Sequence, residues 1–409
     1  MPLKFVFGPS GSGKSTYLYQ HVIEESEKYP LKNFIVLVPE QFTMQTQKDL
    51  VSMHPRHGIM NIDVLSFARL AYRVFEETGT KQMQVLDDEG KNLILRKIAG
   101  DYENKLTVLK GNIKKLGYIS EVKSVISEFT QYDIGEEEMD EMLDHLDEDS
   151  RLYYKLKDIR LLYEGFQDYL RERYITKEEL LDVLNSQVKE SELLKNSVVV
   201  LDGFTGFTPV QNRLILELMR CCKEVWVTVT MDERENPYAY KHPYQLFGLS
   251  KQMVTTLVRM AGEDHIEVEE PVCLYGYPVK RFEKNQELAF LERNIFRYGS
   301  GRYDKAVENL EIHAAGNPRQ EADAVAEGIR RLVRKEQYRY RDIGVIVSDM
   351  NVYGDYLEQA FENYGIPVFM DHKRSILLNS FVEYIRSLLN MAEKNFSYES
   401  VFRFLRTNL

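Results

Sequence analysis

The chain has 409 residues, 44% of them hydrophobic, enough for two or three cores. A formal net charge of −11 argues against a surface that binds nucleic acid all over, because neutralising phosphates takes clustered Lys and Arg, although a local groove for DNA stays open. No apolar run reaches bilayer length and no charged leader precedes the first strand, so the expectation is a cytoplasmic protein without a membrane anchor. Three cysteines, Cys221, Cys222 and Cys273, form no C-x-x-C pair and read as buried thiols. His54 and His57 are separated by Pro55, which argues against one helical face and against zinc.

The first predicted strand, Leu3 to Phe7, runs directly into Gly8-Pro9-Ser10-Gly11-Ser12-Gly13-Lys14-Ser15-Thr16. This is a complete phosphate-binding loop, a pattern expected by chance in only about one or two per cent of chains this long. Glycines let backbone N–H groups curl around an anion, and the following helix adds its positive end. Lys14 can reach the β and γ phosphates, and Ser15 can ligate Mg²⁺. The expected ligands are therefore ATP and Mg²⁺, held by Gly8, Pro9, Ser10, Gly11, Ser12, Gly13, Lys14, Ser15 and Thr16.

A helix is predicted from Ser15 to Lys28, then a fully apolar strand from Asn33 to Val38 that Pro39 ends. Pro39-Glu40-Gln41-Phe42 leads into a second helix, and Ile62 to Ser66 gives a third strand with a helix from Phe67 behind it. Such alternation predicts a doubly wound α/β fold. From Met83 to about Lys195 apolar residues recur at three-to-four spacing among many charges, which predicts a helical insertion. Strands resume at Ser197 to Asp202 and Glu224 to Asp232, so the first domain comprises residues 1–82 and 196–298, interrupted by 83–195. Gly299-Ser300-Gly301 reads as a linker to a second α/β domain, 299–409. Its predicted strands are Leu310 to Ala314, Ile343 to Val347 and Pro367 to Met370, with a helix from Arg319 to Arg334. The pattern stops inside a predicted helix, Phe402 to Leu409, as expected of a piece of a longer protein. An acidic run, Glu136 to Asp149, and a basic run, Arg330, Arg331, Arg334, Lys335, Arg339 and Arg341, read either as solvated helix faces or, for the basic one, as phosphate contacts.

A P-loop site also needs an anionic anchor for the Mg²⁺ shell, an Asp ending a hydrophobic strand beside the P-loop strand. Asp202, after Val198-Val199-Val200-Leu201, fits that role. Many motor ATPases follow this Asp with a Glu that activates water, but here the position is Gly203.

Together the P-loop, Val38-Pro39-Glu40-Gln41, the helical insertion, Val199 through Asp202-Gly203-Phe204-Thr205-Gly206-Phe207-Thr208-Pro209-Val210-Gln211, and Gly365 to Asp371 resemble the AddB family. Its members are one of the two components of bacterial AddAB ATP-dependent helicase/nuclease complexes of break repair. The resemblance covers the whole chain but only the N-terminal part of such proteins. It implies two P-loop-NTPase, RecA-like motor domains with parallel sheets, and a later nuclease domain with an iron–sulfur cluster to which none of the three cysteines can be mapped. Gln41 and Arg319 are counted with the nucleotide-binding residues, although the plainer reading of Arg319 is a surface side chain beside Pro318.

Working helicases of the UvrD type read Asp-Glu-Phe/Tyr-Gln-Asp-Thr where this sequence reads Asp202 to Phe207, so the catalytic Glu and its neighbours are replaced. The resemblance then implies a nucleotide-binding, helicase-inactive module that contacts single-stranded DNA and recognises a recombination hotspot, with the AddA subunit as active motor. The alternative is a working DNA-stimulated ATPase with a relocated carboxylate, Glu40 or Asp232, of which Glu40 is the better placed. A small-molecule kinase fits poorly with a long insertion and a second α/β unit.

Overall fold

Runs of Val, Ile and Phe without polar alternation need cover on both faces. The computed structural model describes residues 2–79, 84–113, 115–171, 174–299, 301–371 and 376–407, and it provides that cover around one sheet. β1 (Leu3–Gly8) leads through the glycine-rich turn into α1 (Lys14–Lys28). β2 (Asn33–Leu37) precedes a 3-10 turn (Glu40–Phe42) and α2 (Thr43–Met53), and β3 (Ile62–Leu65) precedes α3 (Phe67–Thr78). Then come β4 (Gln84–Leu86), α4 (Asp88–Asp101), α5 (Leu116–Gln131), α6 (Glu136–Asp144), α7 (Arg151–Leu170) and β5 (Tyr174–Thr176). The chain returns to the sheet through α8 (Leu180–Gln187), α9 (Glu192–Lys195), β6 (Ser197–Leu201), α10 (Pro209–Cys221), β7 (Glu224–Thr230), α11 (Gly248–Glu263), β8 (Val272–Cys273) and α12 (Gln286–Asn294).

The sheet order is β3-β2-β6-β7-β1-β8, and every pair is parallel. This is the α/β class with a parallel sheet that the sequence predicts. Alternate residues serve opposite faces. Phe5, Phe7, Ile35, Leu37, Val199, Leu201, Val225 and Val227 join one core with residues of α3, α8, α10 and α11. Val6, Phe34, Val36, Val198, Val200 and Trp226 join the other with α1 and α2. Helix ends follow local chemistry. Ser66 Oγ accepts the Arg69 N–H to start α3, and Gly79 closes it at φ 68°. Thr208 and Gln211 exchange hydrogen bonds across the first turn of α10, with Pro209 in its first turn.

The insertion has its own core, in which Leu95, Ile98, Leu109, Ile126, Leu162 and Phe166 meet, and the parallel pair β4–β5 ties its ends together. The expected insertion ran to Lys195, yet Leu180, Leu184, Val188 and Leu194 pack into the sheet core. The apolar stripe of α8 faces α3 and α10, so the separate core ends near Tyr174. The expected boundary at 82–83 lies outside the described residues. The carboxylate of Asp158 on α7, 2% exposed, accepts N–H groups of Thr107, Val108 and Leu109 at 2.8 to 3.1 Å. Lys91 is equally buried and pairs with Glu178 at 2.7 Å. The acidic run places Glu136, Glu137 and Glu138 in the first turn of α6, where the helix dipole favours them.

Contacts divide the chain into two compact units, 1–309 and 310–409. In the second, α13 (Pro318–Lys335) packs Ala322, Ala326 and Ile329 against Leu357, Ala360 and Phe361 of α14 (Met350–Asn363). α15 (Ser380–Glu393) and α16 (Tyr398–Leu405) follow and contact each other. The three strands expected at 310–314, 343–347 and 367–370 do not form among the described residues of this unit. A strand exists only where its N–H and C=O groups find a neighbour, and these runs have none in a ladder; Ile346 is 98% and Phe369 88% exposed. Ser300 of the expected linker, and Asn408 and Leu409, lie outside the described residues.

Replacing Asp158 with Ala leaves three loop N–H groups without an acceptor and is expected to cost roughly 3 kcal/mol. Faster amide exchange at 107–109 and a lower melting temperature in calorimetry are the checks; unchanged exchange there refutes the assignment.

Candidate nucleotide site

The turn after β1 holds Gly11 and Gly13 at φ 83° and 93°, in the left-handed region open to glycine. At Gly11 space adds a second requirement, since an added Cβ would fall 2.7 Å from Arg281 Cβ. Ser12 N–H donates to Pro9 O at 3.2 Å, Met231 N–H to Gly8 O at 3.0 Å, and Arg281 N–H to Gly11 O at 3.0 Å. Lys14 Nζ folds over the turn and donates to the carbonyl oxygens of Gly8 and Pro9, both at 2.9 Å.

Beside this turn lies a cavity of about 490 Å³. It is lined by Ser10, Gly11 and Gly13 to Thr16, by Asp202 to Thr205, by Thr228 and Thr230, and by Lys280 and Arg281. Of the expected residues, Gly8, Pro9 and Ser12 shape the turn without lining the cavity. Gln41 is exposed in the 3-10 turn after β2, outside the lining. Arg319 belongs to the second unit, exposed in the first turn of α13.

Asp202 was expected on a strand beside β1, but β7 stands between β6 and β1. β7 brings a hydroxyl with it. Thr228 Oγ1 donates to Asp202 Oδ1 at 2.5 Å, and Tyr19 Oη from α1 donates to Oδ2 at 2.7 Å. Burial first, then the charge of Asp202, push the Tyr19 phenol far above its ordinary pKa, so it remains a donor. Each carboxylate oxygen keeps a second lone pair for a metal-bound water. Gly203, where a water-activating Glu would stand, has φ 81°.

Lys280 and Arg281 were not found from the sequence, nor were Tyr19 and Thr228. The two cations lie on the 3-10 turn Lys280–Phe282, after β8, which packs directly against the glycine turn, and both line the cavity. Burial pulls the Lys14 ammonium down to about 8; Asp202 opposes the shift and Arg281 adds to it. Asp232, the second candidate for a relocated base, accepts from Arg234 and pairs with Arg297 at 3.3 Å. Burial alone would raise its pKa, but these arginines hold it at about 2, which leaves a carboxylate with little basicity. Glu40 is exposed and outside the lining.

Within the basic run, Arg331 pairs with Glu311, Arg339 with Asp342, and Arg330 donates to Tyr340. Arg334, Lys335 and Arg341 are exposed. The cysteines differ from expectation at one position: Cys222 is buried and Cys221 half-buried, but Cys273 is exposed. It lies on the two-residue edge strand β8, level with Phe7, at the rim of the sheet.

The sequence matches the family described as "ADDB, N-terminal" over residues 5–292. The chain belongs to the AddB family. Among curated relatives of this AddB-family chain, a protein from Lachnoclostridium phytofermentans, named as the B component of an ATP-dependent helicase/deoxyribonuclease, is 45% identical over 416 residues. The alignment covers 100% of this chain and 36% of that protein. Proteins of the same name from Clostridium kluyveri and Caldanaerobacter subterraneus are 35% and 36% identical, again over all of this chain and 35% of theirs. The chain thus spans about a third of the length of these relatives.

The residues present fit a magnesium nucleotide. Left-handed glycines turn backbone toward an anion, three cations surround the cavity, and Asp202 supplies one carboxylate. Among the described residues no three His, Cys, Asp or Glu side chains cluster to hold a metal, as suits Mg²⁺ held chiefly by phosphates and water. No helix among the described residues is long and apolar enough to cross a membrane.

The Lys14 shift sets a pH dependence. In the free protein Lys14 loses its proton near pH 8, and bound phosphates favour the charged form and raise that value. In a complex with a polyphosphate, binding would therefore take up a proton above pH 8, and affinity should be full below about 8 and fall as pH rises past it. Calorimetry in buffers of different ionisation enthalpy should detect this uptake, and Arg281→Ala, which removes a like charge, should move its onset upward. Uptake that does not change between pH 7 and 9 refutes it.

Proposed function

We propose that this chain binds Mg-ATP while hydrolysing it poorly, as the N-terminal, helicase-inactive module of one component of a two-part helicase/deoxyribonuclease. The observation carrying this reading is the pairing of a fully built phosphate turn with Gly203 at φ 81° where the water-activating carboxylate would stand. Ser15 and Asp202 would hold Mg²⁺ and its waters, and Lys14 with Lys280 and Arg281 the phosphates. Bound Mg²⁺ would supply charge neutralisation at the phosphates. Loss of a general base costs about 10²–10⁴ in rate, whereas amide and lysine contacts to phosphate persist.

The curated relatives' names join an ATP-dependent helicase to a deoxyribonuclease, which supports a role in DNA repair. On the family resemblance, the part of the first unit built around the parallel sheet acts as a RecA-like domain. The module binds single-stranded DNA and recognises a recombination hotspot during double-strand break repair in the cytoplasm. It works with an AddA subunit that carries the active motor. The iron–sulfur nuclease belongs to the part of the relatives that this chain does not span. A relocated base gains no support from the ion-paired Asp232 or from Glu40 outside the cavity.

Lys14→Ala is expected to weaken Mg-ATP binding at least about ten-fold, on the scale of lost charge-assisted hydrogen bonds. The unaltered protein should turn over ATP at about a hundredth or less of motor rates, with or without single-stranded DNA. DNA-stimulated turnover at motor rates that Lys14→Ala abolishes would overturn the reading, as would unchanged affinity of Lys14→Ala in calorimetry.

A further inference from the structure

The loop between β7 and α11, residues 231–247, carries two aromatic rings that the nucleotide site does not use. His242 and Tyr244 stack with centroids 4.9 Å apart and planes 6° from parallel, and Tyr244 is 82% exposed. The turn beneath them is tightly held. Gln245 Oε1 accepts the N–H groups of Lys241 at 2.8 Å and His242 at 3.1 Å, and Gly248 N–H donates to Gln245 O at 2.8 Å. Phe247 takes φ 60°, and a Cβ on Gly248 would fall 2.6 Å from Pro243 O. α11 in turn anchors the loop through buried Met253, Val254 and Leu257.

A rigid turn thus displays a flat ring pair to water, at little entropic cost to anything that stacks on it. The surroundings favour an anion. Lys241 is exposed with no ion-pair partner among the described residues, whereas the acids of the same loop, Asp232, Glu233 and Glu235, are each ion-paired, with Arg234, Arg293, Arg297 and Lys251. The loop also leaves the sheet beside the P-loop: β7 and β1 are parallel neighbours, Gly8 stands opposite Thr230, and Met231 N–H bonds Gly8 O.

We propose that Tyr244, backed by His242, is a stacking platform for an unpaired base of single-stranded DNA, with Lys241 meeting the adjacent phosphate. This rests on the DNA-binding reading above and names a surface for it. Aromatic faces accept any base, so the contact is sequence-tolerant.

The test uses the full-length protein assembled with its companion subunit, probed by fluorescence anisotropy with oligothymidylate and with an abasic strand of equal length. Tyr244→Ala should weaken oligothymidylate binding about ten-fold, the scale of one lost stack, and leave the abasic strand unaffected. Tyr244→Phe should match the unaltered protein, and retained Mg-ATP binding shows that the variants fold. Unchanged oligothymidylate affinity in Tyr244→Ala overturns the platform, as does an equal loss on both strands. Release of the companion subunit with DNA affinity intact overturns it too, giving the surface to a protein partner. If the unaltered protein binds neither strand, the DNA-binding reading itself falls.

Discussion

The parallel ladder of β7 with its two neighbours holds the candidate site together. On one side it sets Gly8 opposite Thr230, so the glycine turn begins at a fixed height and Met231 can bond back to it. On the other it sets Leu201 opposite Val227, which brings Asp202 beside the Thr228 hydroxyl. Two loops far apart in sequence therefore meet because one buried strand registers both. Its cost is small, since Val225, Val227 and Val229 would be buried on that sheet face regardless.

Lys14, Lys280 and Arg281 line the resulting cavity with one carboxylate, Asp202, that two hydroxyl donors already engage. Burial is the main reason the Lys14 ammonium is drawn down to about 8, with Asp202 opposing the shift and Arg281 adding to it. Lys14 spends its donors on the Gly8 and Pro9 oxygens, and in the proposed complex the phosphates would compete for them.

Much of the first unit was legible in the sequence because its signals are local. A glycine-rich turn and an apolar run ending at Pro39 each lie within a few residues. Tyr19, Thr228, Lys280 and Arg281 escaped because they reach the site through strand order and loop closure, which leave no mark in spacing. The position of Asp202 was read correctly as a strand end, but not that β7 would separate it from β1; adjacency in a parallel sheet is a property of crossovers. In the second unit helix periodicity was sufficient for α13, since a helix satisfies its own backbone. The runs at 343–347 and 367–370 looked like strands by composition alone, and composition cannot supply a partner ladder.

Gly203 carries a consequence for anyone who would re-engineer the strand exit. Its left-handed backbone disfavours any other residue by roughly 1–2 kcal/mol, yet a Cβ there would meet nothing nearer than Pro39 Cδ at 3.7 Å. A carboxylate inserted beside Asp202 is therefore opposed by one torsion angle and not by crowding.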